Sequence, residues 1–182
     1  MLFSSLWLKK RVMRSLLNQR SWRGDEAVLD VGCGRGLVAV EAARRVPHGR
    51  VHGVDIWQAQ DLSGNSPAAI HKNAAIAGVG NRLTIDTGDA RSLPYQNDVF
   101  DVVTSMTALH NIPTADGRRQ AVSELWRVLR PGGQILIFDI RHAKIYLQHL
   151  SHLGAVDTTV AGPILLWGPL GWRVSAAKPN LR

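Results

Sequence analysis

The sequence predicts an α/β fold: a doubly wound, seven-stranded, mostly parallel sheet with a C-terminal antiparallel hairpin. Three observations predict it. Short apolar runs alternate with amphipathic stretches of about ten residues, the pattern of strands joined by crossover helices. The stretch VLDVGCGRGL (28–37) joins an apolar run to a helix start through Gly32, Gly34 and Gly36. The last two strand-like runs follow each other with no helical stretch between them, which suits an antiparallel pair at a sheet edge.

Taken in order, residues 4–20 form a helix, because Leu6, Trp7, Met13, Leu16 and Leu17 recur at helical intervals. Basic residues fill the other positions. Three roles compete for it: a lid or collar over a ligand site, an interfacial anchor, or an ordinary packing helix. The expected division is a basic amphipathic helix (1–24) and one domain (25–182). Strand 27–31 leads through the glycine turn to helix 36–46, which stops before Pro47 and the turn His48-Gly49. Strand 51–55 ends at Asp55. A loop with Asp61, Ser63, Gly64 and Asn65 leads to Ser66-Pro67, an N-cap and a first helical residue. Helix 67–77 ends at Gly78, strand 82–86 leads to Gly88-Asp89, and strand 99–104 leads to Ser105–His110. Pro113-Thr114 opens a helix with Ala121, Val122, Leu125, Val128 and Leu129 on its apolar face. Arg130-Pro131-Gly132-Gly133 is expected to end that helix sharply. Strand 134–139, helix 142–152, a strand near 155–160, an apolar Gly/Pro-rich connection (161–172) and a strand near 173–177 complete the chain.

At 182 residues one domain is expected, and 45% hydrophobic with 20% charged residues argues against disorder. No apolar run approaches the ~20 residues that span a bilayer. No secretory signal pattern is visible, so the expected location is cytoplasmic, with peripheral membrane contact through the first helix as a variant. Cys33 is the single cysteine, which excludes an internal disulfide and a thiolate metal cluster. A thiol beside a helix start can have a lowered pKa, but the simpler role is a small residue in a tight loop. The net charge of +8 fits nucleic acid, an anionic membrane, an anionic substrate, or a merely solvated surface. Lys9, Lys10, Arg11, Arg14, Arg20 and Arg23 concentrate it in the first 23 residues.

The glycine turn is a place where backbone can approach a ligand and a helix start offers free N–H groups. Its G-x-G-x-G spacing differs from the G-x-G-x-x-G of dinucleotide sites. Asp30, two residues before the first glycine, suits a ligand that carries an amine or cation. Asp55 ends the second strand, where an acidic residue accepts hydrogen bonds from ribose hydroxyls. Ile56 and Trp57 follow and could pack on an adenine, while Asp89 could meet its amino group and Ala90 could present a backbone N–H. Three carboxylates at three successive strand ends form a coherent set.

On VLDVGCGRG (28–36), VHGVDIW (51–57), TGDARSLP (87–94), FDVVTSMTALHNI (100–112) and RVLRPGGQILIFDI (127–140), the chain resembles class I S-adenosylmethionine-dependent methyltransferases with a Rossmann-like fold. Within them it is most similar to the small-molecule branch that includes ubiquinone and menaquinone C-methyltransferases. The resemblance implies S-adenosylmethionine as donor and S-adenosylhomocysteine as product. It implies that Gly32, Cys33, Gly34 and Gly36 wrap the methionine part, with Asp30 near its ammonium. Asp55 would hold the ribose, Ile56 and Trp57 would flank the adenine, and Asp89 and Ala90 would bind its edge. Ser105 and Met106 would lie beneath the sulfonium.

A base is needed only if the acceptor must lose a proton. His110 is the candidate, against a structural histidine bonded to a backbone carbonyl, and Asn111 could orient the acceptor or cap a turn. His142 is a weaker candidate, and packing is the simpler role for Tyr146. His142, His149 and His152 could share a helix face, but without nearby carboxylates no metal site is expected. Base amino-group, cytosine C5, arsenite and metal-dependent catechol methylation each require motifs that the chain lacks. A small organic acceptor is expected, with O, N, S and C all open, in an apolar pocket walled by residues 161–172 and the first helix. The alternatives are an RNA-directed methyltransferase gripping phosphates with the basic N-terminal region and a non-catalytic binding module. Nucleic acid is the less expected partner, and a nicotinamide dehydrogenase the least expected reading.

Overall fold

A computed structural model describes residues 2–58, 64–166 and 168–180, with side chains from residue 7 onward. Asp61, Ser63, Trp167 and the side chain of Leu6, all used above, lie outside what is described. The elements run α1 (Leu2–Leu17), β1 (Ala27–Val31), α2 (Leu37–Arg45), β2 (Arg50–Asp55), α3 (Pro67–Ile76), β3 (Leu83–Thr87), β4 (Phe100–Met106), α4 (Ala115–Val128), β5 (Leu129–Asp139), α5 (Ala143–His152), β6 (Val156–Leu165) and β7 (Leu170–Ala177). The sheet order is β3-β2-β1-β4-β5-β7-β6, with β6 and β7 antiparallel to their neighbours and the other pairs parallel. The order reverses between β1 and β4, so a crevice opens there at the carboxyl ends of the strands.

Helices cover both faces, which is why the central strands read as apolar runs. Alternation along β5 divides the core. Ile135 and Ile137 pack with Ala121, Leu125, Val128, Tyr146 and Leu150 beneath α4 and α5. Leu136 and Phe138 face the other side, with Ala39, Ala42, Ile70 and Ala74 of α2 and α3. That second cluster includes Val12 and Leu16, so α1 lays its apolar stripe on the sheet. The linker behind α1 is tied down. The Trp22 indole N–H donates to the Leu17 carbonyl (2.9 Å), and buried Glu26 accepts from the backbone N–H groups of Arg23 (2.7 Å) and Gly24 (2.9 Å). The expected caps form: Ser66 Oγ accepts from Ala69 N–H at 3.2 Å and Thr114 Oγ1 from Gly117 N–H at 3.0 Å.

Two expectations need correction. Arg130-Pro131-Gly132-Gly133 does not separate helix from strand, because α4 passes directly into β5 at Leu129. The register jumps from Phe100↔Leu129 to Val102↔Gln134, so these four residues bulge out of the strand. Proline has no N–H for the ladder and Gly132 adopts φ +76, both suited to a bulge. Residues 161–172 are not a connection either. Strands β6 and β7 run through most of them, and the turn closes with Leu166 N–H donating to the Pro169 carbonyl at 3.1 Å.

Candidate active site

A cavity of about 880 Å³ occupies the crevice, within the ~300–1,000 Å³ range of small-molecule sites. Its walls are residues 30–38, Val54–Ile56, Gly88–Arg91, Met106–Pro113 and Ile140, with Lys9, Lys10, Met13 and Arg14 of α1 at the rim. Of the described residues of 161–172, none lines it: Ile164 and Leu166 pack instead into the core under α1.

Asp30 ends β1 and is 2% exposed. Its carboxylate accepts from Ala39 N–H in the first turns of α2 (3.0 Å) and from the Thr104 hydroxyl on β4 (2.9 Å). Burial dominates these bonds and pushes its pKa up to about 7. The turn folds back on β2, with Gly32 N–H (2.8 Å) and Cys33 N–H (3.2 Å) donating to the Val54 carbonyl. Gly32 has φ +72, and a Cβ there would collide with the Ala108 methyl. Burial pushes the Cys33 thiol up, so it stays protonated and acts as packing.

Asp55 couples strand and turn. It accepts from Gly34 N–H (2.9 Å), Trp57 N–H (2.7 Å) and the Asn65 amide (3.2 Å). Ile56 lines the cavity, but Trp57 does not. Its φ of +60 reverses the chain, and its indole N–H donates to Thr87 Oγ1 at 2.8 Å over the end of β3. The Trp57 side chain is therefore not placed as a cavity wall. Asp89 and Ala90 do line the cavity, and Arg91 Nε donates to both Asp89 oxygens at 3.0 Å. That side-chain bond holds the Asp89 carboxyl below its ordinary range.

Alternation on β4 separates the two remaining cofactor candidates. Thr104 and Met106 share the α2 side, and Met106 lines the cavity. Ser105 is buried, lies outside the lining, and its hydroxyl has no partner among the described residues. By its strand position its side chain faces α4 and α5, away from the cavity.

His110 sits on a 3₁₀ turn (Leu109–Asn111) at the cavity wall. It bonds a carboxylate, not a backbone carbonyl: its Nδ1 lies 2.5 Å from Asp139 Oδ1, and its N–H donates to Asp139 Oδ2 at 3.0 Å. Asp139 is fully buried and also accepts from Ile140 N–H (2.8 Å) and the Tyr146 hydroxyl (3.2 Å). The remaining nitrogen, Nε2, is free of that anchor. Asn111 also lines the cavity; His142 and Tyr146 do not. His149 pairs with the Ser123 hydroxyl at 2.8 Å between α5 and α4, far from the acidic cluster in sequence and element.

Sequence reasoning missed Thr104, Asn65 and Arg91. The period-2 pattern of β4 could have found Thr104, since 104 and 106 share a face. Asn65 and Arg91 reach their partners through loops, which leave no periodic signal.

The profile of a methyltransferase domain matches residues 28–133. The chain is 32% identical over 127 residues to a demethylmenaquinone methyltransferase of Symbiobacterium thermophilum, covering 69% of this chain and 47% of that protein. It is 32% identical over 131 residues to the methyltransferase GfsG of Streptomyces halstedii, covering 72% and 44%. The chain thus spans about half the length of the relatives it matches. Among solved structures, the cyclase SpnF superposes with a TM-score of 0.75 at 21% identity over 94% of this chain and 81% of that one. A geranyl diphosphate methyltransferase in complex with S-adenosylmethionine superposes with a TM-score of 0.71 at 15% identity, over 93% and 85%. At such identities these two speak for the fold alone. With the profile spanning more than half the residues, the chain belongs to the methyltransferase domain family, in the class I S-adenosylmethionine-dependent fold.

Proposed function

We propose that the chain transfers the methyl group of S-adenosylmethionine to a small organic acceptor, with His110 removing the acceptor's proton. One observation carries the reading: the glycine turn, the strand-end carboxylates Asp30, Asp55 and Asp89, and His110, which Asp139 holds from behind, line the same cavity. The residues present fit the donor. Gly32, Gly34 and Gly36 line the cavity, and Asp30 is a buried carboxylate suited to an ammonium. Asp55 keeps acceptor capacity for a ribose hydroxyl, since three donors occupy a group with about four lone-pair sites. That Ile56, Asp89 and Ala90 line the same cavity supports them as the adenine contacts.

When bound, the sulfonium supplies an already activated methyl group. The protein's part is to hold the acceptor atom near attack distance, which can account for much of the rate. Met106 and Ile140 offer an apolar floor, and Asn111 an amide to orient the acceptor. Asp139 fixes the His110 ring through Nδ1, leaves Nε2 to accept a proton, and stabilises the imidazolium that forms. A relative named for demethylmenaquinone supports a small-molecule acceptor over RNA. The second reading, a non-methylating role for the same cavity, draws on the fold neighbour named a cyclase, because fold alone does not dictate chemistry.

Calorimetry with S-adenosylmethionine, then mass spectrometry of labelled-methyl transfer to phenolic, carboxylic, amine and thiol acceptors, tests this reading. Binding and transfer are expected. His110→Ala should lower turnover about 10²–10⁴-fold while keeping donor affinity. No donor binding would sink the reading, and binding without transfer to any acceptor would favour the second one.

A further inference from the structure

A second concavity lies on the outer side of α1, where the helix meets β7. It is a groove of about 510 Å³ lined by Trp7, Lys10, Arg11, Arg14, Ser15 and Arg173, and no acidic side chain among the described residues lines it. The α1 residues fall on one helical stripe. Arg173 reaches across from β7 and is held by the Ser15 carbonyl (3.2 Å) and hydroxyl (2.7 Å). Its Nε is buried with no partner. The Arg11 guanidinium sits over the Trp7 ring at 5.8 Å from its centroid.

Four cations, Lys10, Arg11, Arg14 and Arg173, line this groove, and no acidic side chain among the described residues lines it with them. Such a site calls for a compact polyanion with several acceptor oxygens, which is the chemistry of a phosphoryl group. Trp7, 62% exposed, adds an aromatic face for the organic part of such a molecule. Lys10 and Arg14 line both this groove and the main cavity, so the two spaces meet at those side chains. A bilayer is the weaker occupant. Val12, Met13, Leu16 and Leu17 of α1 are buried in the protein and are not free to insert, and the surface is concave.

We propose that this groove is an anion subsite for a phosphoryl group carried by the methyl acceptor. The acceptor role rests on the methyl-transfer reading above; the anion site itself does not.

The test is titration of the whole chain with inorganic pyrophosphate and with phenyl phosphate at physiological ionic strength, followed by amide NMR. Saturable shifts confined to residues 7–18 and the neighbourhood of Arg173 are expected. Arg11→Gln and Arg173→Gln should each weaken binding about 10–100-fold, the loss of one charged hydrogen-bonding group. Arg173→Gln also removes a tether of α1, so Arg11→Gln, whose side chain stands over an exposed ring, keeps the test decisive. Shifts centred on the glycine turn, wild-type affinity in Arg11→Gln, or binding to phosphatidylglycerol vesicles without binding of the soluble probes would each overturn the site. In the acceptor panel, Arg11→Gln should raise KM for phosphorylated acceptors by about the same factor, and a loss confined to kcat would overturn the acceptor role. Failure to bind S-adenosylmethionine would remove that role through the methyl-transfer reading, while the pyrophosphate titration reads the groove alone.

Discussion

Asp30 is a carboxylate removed from water with two hydrogen bonds and no ion-pair partner among the described residues, and its titration should be visible in the stability of the free protein. Its folded pKa of about 7 lies above the ordinary 3.8, so the folded chain holds that proton more tightly than the unfolded chain. The contribution is fully present below the ordinary value, fades as pH rises towards 7, and is gone above it. Relative to wild type, Asp30→Asn should therefore gain stability between about pH 4 and pH 7, by up to a few kcal/mol, in denaturant unfolding. A difference independent of pH would show that Asp30 does not titrate in that window. Asp55 acts on the ligand side. Asp55→Ala should weaken S-adenosylmethionine binding by about 1–3 kcal/mol through lost charged hydrogen bonds, and unchanged affinity in calorimetry would end the ribose assignment. Gly32, Asp30, Asp55 and Asp89 were all legible as strand-end residues. That Trp57 and Ser105 fall outside the cavity was not, because a left-handed residue and a single step of strand alternation decide it.

Among the elements, α1 joins sequence and site most directly. Its basic, apolar pattern was readable and favoured a lid or collar, with an interfacial anchor and a packing helix as alternatives. The structure lays Val12 and Leu16 into the core and places Lys10, Met13 and Arg14 on the cavity rim, a collar's position. Leu16 is fully buried, so Leu16→Ala should cost about 2–5 kcal/mol. If α1 shapes the cavity, the same substitution should also reduce donor affinity. Stability loss with donor affinity intact, read by thermal unfolding and calorimetry together, would make α1 a packing helix only. The β5 bulge teaches a different lesson. Arg-Pro-Gly-Gly carries the signal of a stop, yet the Phe100↔Leu129 pair draws the strand back across it.

For the whole molecule, the sheet order puts β1 and β4 at the centre, buried on both faces, and leaves β3 and β6 at the two edges with one partner strand each. Amide exchange should be slowest in β1 and β4 and fastest in the edge strands β3 and β6; comparable protection at an edge would argue that it is covered. The sequence by itself determined the fold class, the seven strands in order, the start of the helix at Ser66 and the carboxylates at the strand ends, because these follow from periodicity, turn chemistry and the ends of strands. Only the tertiary structure decided that His110 finds Asp139, 29 residues away, that Thr104 steadies Asp30, and that α1 meets Arg173 across 158 residues. Such pairings depend on which strands lie side by side and which way each side chain points, and no local pattern in the chain encodes either.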